Sequence, residues 1–284
     1  MKVLLFELRR VYKKAPIGIS LILIIDSLEI ILLSLNPLLI GLCIDGLLKN
    51  EYSQLCWLIS FQLVFILIRA INKFSDTRVY ERIIESESNS YYEDAMQSNS
   101  DDSQISSRLN LVDEIPSFFD IELVETLDVF GGILISLIFI LFYSGLLLFS
   151  LTIAISVLVC ILTNSLHKEI ADRNIKLQDH DETREKIVLS RNIRRFRMYT
   201  KTLRAFRTQK SDLEAKAYLI TDLLQAGLLV VALILAIHIG NYTSGQLFTI
   251  TSYIILLNDS VCEINKVRVD IYALIDTATR LGRS

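Results

Sequence analysis

Residues 127–166 read LDVFGGILISLIFILFYSGLLLFSLTIAISVLVCILTNSL. At roughly 40 residues the block is about twice what one bilayer crossing needs, because ~20 apolar residues at about 1.5 Å each cover the hydrocarbon core. Its interruption is Tyr143-Ser144-Gly145, and a Ser-Gly step of this kind turns a chain. The block therefore reads as two spans, 127–143 and 146–166, joined in a tight helical hairpin. A chain that crosses twice here is polytopic, and the rest of the sequence is read from that point outward.

The same length criterion finds spans over 17–44, 55–71, 219–239 and 247–264, six in all. Before the first lies KVLLFELRRVYKK, residues 2–14, where Val3, Leu4, Leu8 and Val11 share a helical face and Arg9, Arg10, Lys13 and Lys14 occupy most of the remainder. Residues 1–15 are thus expected to form an interfacial elbow helix against an anionic leaflet. Pro16 turns the chain into the bilayer, and Pro37 is expected to kink the first span. Residues 16–284 make up the six-helix transmembrane domain, an all-α membrane fold.

Two long polar stretches separate the spans. Residues 72–126 read as helix in two pieces around Ser98–Ser107, a Ser/Asn/Asp cluster suited to a turn and cap. Residues 167–217 contain neither Gly nor Pro and are rich in Glu, Lys, Arg, Leu and Ile, so long helices projecting into water are expected. Composition agrees: 52% of the 284 residues are hydrophobic and mean hydropathy is +0.45, yet 21% are charged. The apolar runs are almost free of charge, as expected when a charge in hydrocarbon costs several kcal/mol. The first apolar run carries Asp26 and Glu29, extends past a signal h-region and lacks a small-x-small site, so it reads as a retained span.

Lys and Arg set the orientation. The elbow carries Lys2, Arg9, Arg10, Lys13 and Lys14, and residues 167–217 carry fourteen more, from Lys168 to Lys216. The three short loops on the other side offer only Lys49. Both termini and both polar stretches are therefore assigned to the cytoplasm, in a multi-pass protein of the cytoplasmic (inner) membrane. A net charge of −3 argues against nucleic acid as a partner. Cys43, Cys56, Cys160 and Cys262 show no CxxC and no metal-ligand spacing; three lie in or beside apolar runs and read as small buried hydrophobes, with a bridge between Cys43 and Cys56, flanking the first short loop, as the lesser alternative.

Six spans, an elbow helix, short outer loops and two helical extensions of about fifty residues resemble, over nearly the whole chain, the six-helix transmembrane domain of an ATP-binding-cassette (ABC) exporter of the type IV class. Three local matches agree in order along the chain. Pro37-Leu38-Leu39-Ile40-Gly41 followed by Ile44-Asp45 is similar to the P-x-x-I-G-x-x-I-D ending of that family's first helix. Ser107-Arg108-Leu109 with Asp113 resembles its S-R-L-x-x-D, and Gly245-Gln246-Leu247 with Tyr253 its G-x-L and later Tyr. The resemblance implies a homodimer or heterodimer around one pathway. Two features depart from it. The chain ends at Arg283-Ser284, where a nucleotide-binding domain is expected to begin, and no GxxxxGK[ST] phosphate loop occurs. The chain is thus expected not to be an ATPase itself and to carry no cofactor, with ATP used only through a separate subunit. In addition, the family's E-x-x-x-G-I-x-x-I-K-x-F segment appears as Glu185 to Arg197 without the Gly and with Arg191, Arg194, Arg195 and Arg197.

Candidate sites follow from charges inside apolar runs. Asp26 and Glu29 are three apart and share a helical face, roughly 13–18 Å along the helix from Ile17. Carboxylates there need a wet cavity, a cation or a proton, and Arg69 in the second span is the expected partner. The triad reads as part of a translocation path that binds cationic cargo or carries protons; the alternative is a structural ion pair. Asn258, Asp259 and Glu263 form a second polar group, with Asp259 and Glu263 on one face. In the resembled fold the sixth helix lines the central cavity; a solvated helix end is the alternative. Arg191, Arg194, Arg195 and Arg197 suit a docking surface for an acidic partner or anionic lipid. His238 reads as an interfacial histidine, and His180 among Asp179, Asp181 and Glu182 as a solvated face rather than a metal site. No catalytic motif occurs.

Three functions fit: a permease subunit working with a separate ATPase, a free-standing proton-coupled transporter on the same fold, and a non-transporting immunity or assembly protein. The first is favoured.

Overall fold

The computed structural model describes residues 9–97, 116–239 and 242–281, and every regular element among them is helical. After a helical elbow at residues 9–14 come α1 (Pro16–Leu48), α2 (Ser53–Gln97), a π-helical turn (Phe118–Glu122), α3 (Leu123–Glu182), α4 (Arg184–Leu189), α5 (Ile193–Ile239) and α6 (Ser244–Leu281). Among the described residues, five helices are long and apolar enough to cross a membrane. The protein is therefore a multi-pass, all-α membrane protein. The longest, α3, leaves helical geometry at Gly145, whose φ of 74° and ψ of 178° favour a residue without Cβ. The break falls within Tyr143-Ser144-Gly145 and divides α3 into two apolar limbs. Residues 1–8 of the elbow, the turn expected over Ser98–Ser107 and the Ser107-Arg108-Leu109/Asp113 motif lie outside the described residues.

The chain divides into two compact units, Met1–Gly145 with Ile239–Ser284, and Leu146–His238. In the first, α1 packs along both α2 and α6. Its elbow end holds a core of Val11, Ile19, Ile22, Tyr80, Ile83, Phe118, Phe119 and Leu274. Burying side chains of this size stabilises by roughly 1.5–3 kcal/mol each, which anchors the elbow to α2 some way beyond that helix's apolar stretch. Glu87, only 2% exposed, sits beside this core and is held by Arg10 and by Lys14 at 2.9 Å. Burial alone would raise its pKa, but the two cations outweigh it and hold the carboxyl below the ordinary glutamate range.

At the opposite end α1 meets α6 backbone to backbone. A Cβ on Gly41 would stand 2.6 Å from the Gly245 carbonyl oxygen, and one on Gly245 would stand 2.6 Å from Asp45 Cγ. Asp45 Oδ1 accepts the Gly245 N–H at 2.8 Å and Oδ2 accepts the Thr243 hydroxyl, placing a carboxylate at the start of α6, where its orphan donors and dipole favour one. Thr243 and Gln246 add a reciprocal capping box: Gln246 Oε1 accepts the Thr243 N–H at 3.0 Å, and Thr243 Oγ1 accepts the Gln246 N–H at 3.2 Å. Deeper along the seam, Tyr253 donates its hydroxyl to the Ser34 carbonyl at 2.9 Å. Thr249 Oγ1 lies 2.9 Å from the Gly245 carbonyl and 3.3 Å from that of Pro37. Pro37 sits inside a continuous α1.

In the second unit, the later limb of α3 lies alongside α5. Arg173 donates to Gln209, and the His180 ring lies tilted against that of Tyr199 at 4.6 Å and edge-on to that of Phe206 at 5.8 Å. The helical stretch expected over 167–217 is interrupted near Thr183 and again at Ser190–Asn192. Arg191 takes a φ of 46°, and the Asn192 side chain accepts the N–H groups of Arg194 and Arg195 at 3.0 and 3.3 Å. An Asn N-cap therefore stops and restarts the helix without Gly or Pro. Cys43 and Cys56 carry no disulfide, so the two do not bridge.

Candidate functional site

Three helical stripes converge within the first unit. From α1 come Asp26, Glu29, Ile30 and Leu33, and from α2 come Arg69, Asn72, Lys73 and Asp76. The π-turn and the start of α3 contribute Asp120, Val124, Glu125 and Asp128. Within each set the spacing of three, four and seven or eight residues keeps the side chains on one face. Together they line a cavity of about 490 Å³, within the usual range for a small-molecule site.

Six of the lining residues are acids, and two, Arg69 and Lys73, are cations. Asp26 is 5% exposed and Asn72 7%. The Asn72 amide donates one N–H to Asp26 Oδ1 at 2.7 Å and the other to Glu29 Oε2 at 2.8 Å. Facing two carboxylates with its NH2 group fixes which way the amide points. Arg69 lies 3.6 Å from Glu29 through Nε, with its side chain 70% exposed, a contact of the kind that contributes little. The expected pairing of both acids with Arg69 is therefore corrected: Asn72 bridges them, and Arg69 reaches Glu29 alone. The reason is position, since Asn72 lies three residues further along the same α2 face and is buried.

Around this clamp Lys73 pairs with Asp76 at 3.3 Å, and Lys266 from α6 holds Glu125 at 2.6 Å. Asp26 Oδ2, Asn72 Oδ1 and Asp76 Oδ1 have no hydrogen-bond partner among the described residues. Each is an acceptor.

The second expected group is split. Asn258 is buried, Asp259 and Glu263 are exposed, and neither acid lines the cavity. Glu263 does lie within electrostatic reach of Asp128, Glu125 and Lys266. Arg191, Arg194, Arg195 and Arg197 are all exposed, in the turn before α5 and its first residues. His238 is exposed, with Nδ1 at 2.9 Å from the Ile234 carbonyl. Among the described residues no group of His, Cys, Asp and Glu is placed to hold a metal ion.

Asn72, Lys73, Asp76, Asp120 and Asp128 were not singled out in the sequence. Asn72 to Asp76 open a polar stretch that reads as water-exposed, and Asp120 closes the same stretch. The available signal was the helical period, which carries the Arg69 face onward through Asn72, Lys73 and Asp76 without a break.

A family model described as the ABC transporter transmembrane region matches residues 8–245. No curated protein matches the chain.

Proposed function

The chain belongs to the ABC transporter transmembrane region family, and from that premise we propose that it is the permease subunit of a transporter of the cytoplasmic membrane, with ATP hydrolysis supplied by a separate polypeptide. The observation that carries this reading is the acid-lined cavity. A helix serving only as an anchor gains nothing from burying Asp26 beside Glu29, since a charge inside an apolar belt is expensive and is kept where it meets an ion or substrate. No GxxxxGK[ST] loop occurs in these 284 residues, and the proposal assigns the nucleotide chemistry to a partner.

The basic elbow and the basic stretch between α3 and α5 give the orientation, with both on the cytoplasmic side. There the exposed Arg191, Arg194, Arg195 and Arg197 form a surface for an acidic partner. Two such chains, identical or related, complete the pathway.

Isolation of the tagged chain from its native membranes in mild detergent tests the proposal. The expected result is co-purification of an ATP-binding-cassette polypeptide, with ATP-driven cargo movement that is abolished by Asp26→Asn and survives an uncoupler. Transport by the chain alone, driven by a proton gradient, would overturn the ATP-coupled reading and favour the proton-coupled one. Full biological activity in Asp26→Asn and Glu29→Gln would instead point to a non-transporting role.

A further inference from the structure

We infer that the cavity between α1, α2 and the start of α3 binds a small organic cation that donates N–H hydrogen bonds, an ammonium or guanidinium compound. The inference rests on the permease reading in taking this cation as cargo; binding itself is measured apart from transport, so either can fail alone.

Charge is the first ground. Six carboxylates face two cations in the lining, and among the described residues no cation pairs with Asp26 or Asp128. The two resident cations are weakly held. The Arg69 side chain is 70% exposed and 3.6 Å from its partner, and that of Lys73 is 75% exposed and 3.3 Å from its own. A ligand cation can take their place at little loss, because exposed ion pairs contribute only about 0–1 kcal/mol.

Hydrogen-bonding capacity is the second, independent ground. Asp26 and Asn72 are each more than nine-tenths buried, and Asp26 Oδ2 and Asn72 Oδ1 still lack a donor. Asp76 Oδ1 is in the same position. Buried polar atoms are normally satisfied, and all three are acceptors, so the missing species is a donor. A proton on Asp26 would satisfy one and leave the others. Water would donate but leave the carboxylates uncompensated. An ammonium or guanidinium supplies several N–H groups together with the charge.

Shape separates this class from a metal ion. A cavity of about 490 Å³ far exceeds one ion, and Ile30, Leu33 and Val124 give part of it an apolar lining suited to a short hydrocarbon arm. No described cluster offers metal-ligand geometry.

The test uses the full chain purified in lipid nanodiscs, with agmatine as the probe, tetraethylammonium as a cation without N–H, and Mg²⁺ as the inorganic competitor. Isothermal titration is expected to show agmatine binding that weakens at least about tenfold in Asp26→Asn and in Asp128→Asn, as loss of a charge-assisted contact implies. Neither competitor is expected to displace agmatine at equal concentration. Circular dichroism and elution volume identify any variant that misfolds, in which case Glu29→Gln, with the same expected loss, replaces it. Absence of agmatine binding, or equal binding in the folded variants, overturns the proposal. Competition by tetraethylammonium equal to that by agmatine removes the donor requirement, and displacement by Mg²⁺ removes the organic class. Intact binding in a chain that fails to transport keeps this inference and sinks the permease reading.

Discussion

α1 carries two buried or half-buried aspartates that are treated in opposite ways. Asp45, at the seam with α6, has both oxygens engaged: one by the Gly245 N–H, the other by the Thr243 hydroxyl. Asp26, about five turns earlier, is more deeply buried and has one oxygen engaged and one bare. The first is a structural carboxylate whose charge stabilises a helix start. The second is a carboxylate held in place with capacity to spare, which fold stability does not require and a ligand site does. One helix therefore has a finished end and an unfinished end.

The comparison predicts a descending series of stability effects. The largest is expected for Gly245→Val. Its Cβ has no room against Gly41 and Asp45, so the α1–α6 seam must separate; about 3 kcal/mol or more is expected to be lost, in the upper range for overpacking. Thermal unfolding in detergent measures this, and a wild-type midpoint would remove the close-packed seam from the account. Next is Asp45→Ala, which strips the α6 start of its carboxylate and is expected to cost about 1–2 kcal/mol, with Asp45→Asn intermediate.

Glu87→Gln comes third. Its carboxylate is buried but its partners are partly exposed, so a loss of roughly 1 kcal/mol is expected. The acid limb tests the same contact. A carboxyl with a lowered folded-state pKa contributes stability above its ordinary value, near 4.3, and that contribution is lost as pH falls through the folded value. Wild type should therefore approach Glu87→Gln in stability as the solution is acidified below pH ~4. A constant gap between the two down to low pH would exclude the ion pair as its source.

The smallest effect on stability, and the most informative, is expected from Asp26→Asn. Removing a charge that is only half satisfied should leave the unfolding midpoint within about 0.5 kcal/mol of wild type, or raise it, while cation binding and transport are lost. A large destabilisation would place Asp26 with Asp45 among the structural carboxylates and erase the distinction.

Much of this was legible in sequence, for physical reasons that differ between the two ends. The spans stand out because lipid excludes charge over long runs, and acids inside an apolar run, such as Asp26 and Glu29, stand out by the same rule. In sequence the Pro37–Asp45 and Gly245–Leu247 motifs are marks of resemblance alone; the structure gives their physical content as two glycines in backbone contact beside a capping aspartate. Asn72 and Asp120 were hidden because they lie in stretches that read as solvated, although α2 passes that boundary without changing its period. Asp128 lies inside the 127–166 block, one residue from its polar boundary, where a lone acid reads as part of the span's edge. Asp259 and Glu263 are both exposed on α6, and that helix buries its other side, through Tyr253, Leu257, Ser260 and Val261.

The side chain that joins Asp26 to Glu29 is an amide, and an amide does not titrate. A lysine at position 72 would align the two acids by cancelling much of their field, and an arginine would do so more firmly. Asn72 fixes their geometry with two dipolar bonds and takes away neither negative charge. The attraction that two closely spaced carboxylates exert thus stays directed toward whatever enters the cavity, offset at Glu29 only by the exposed Arg69.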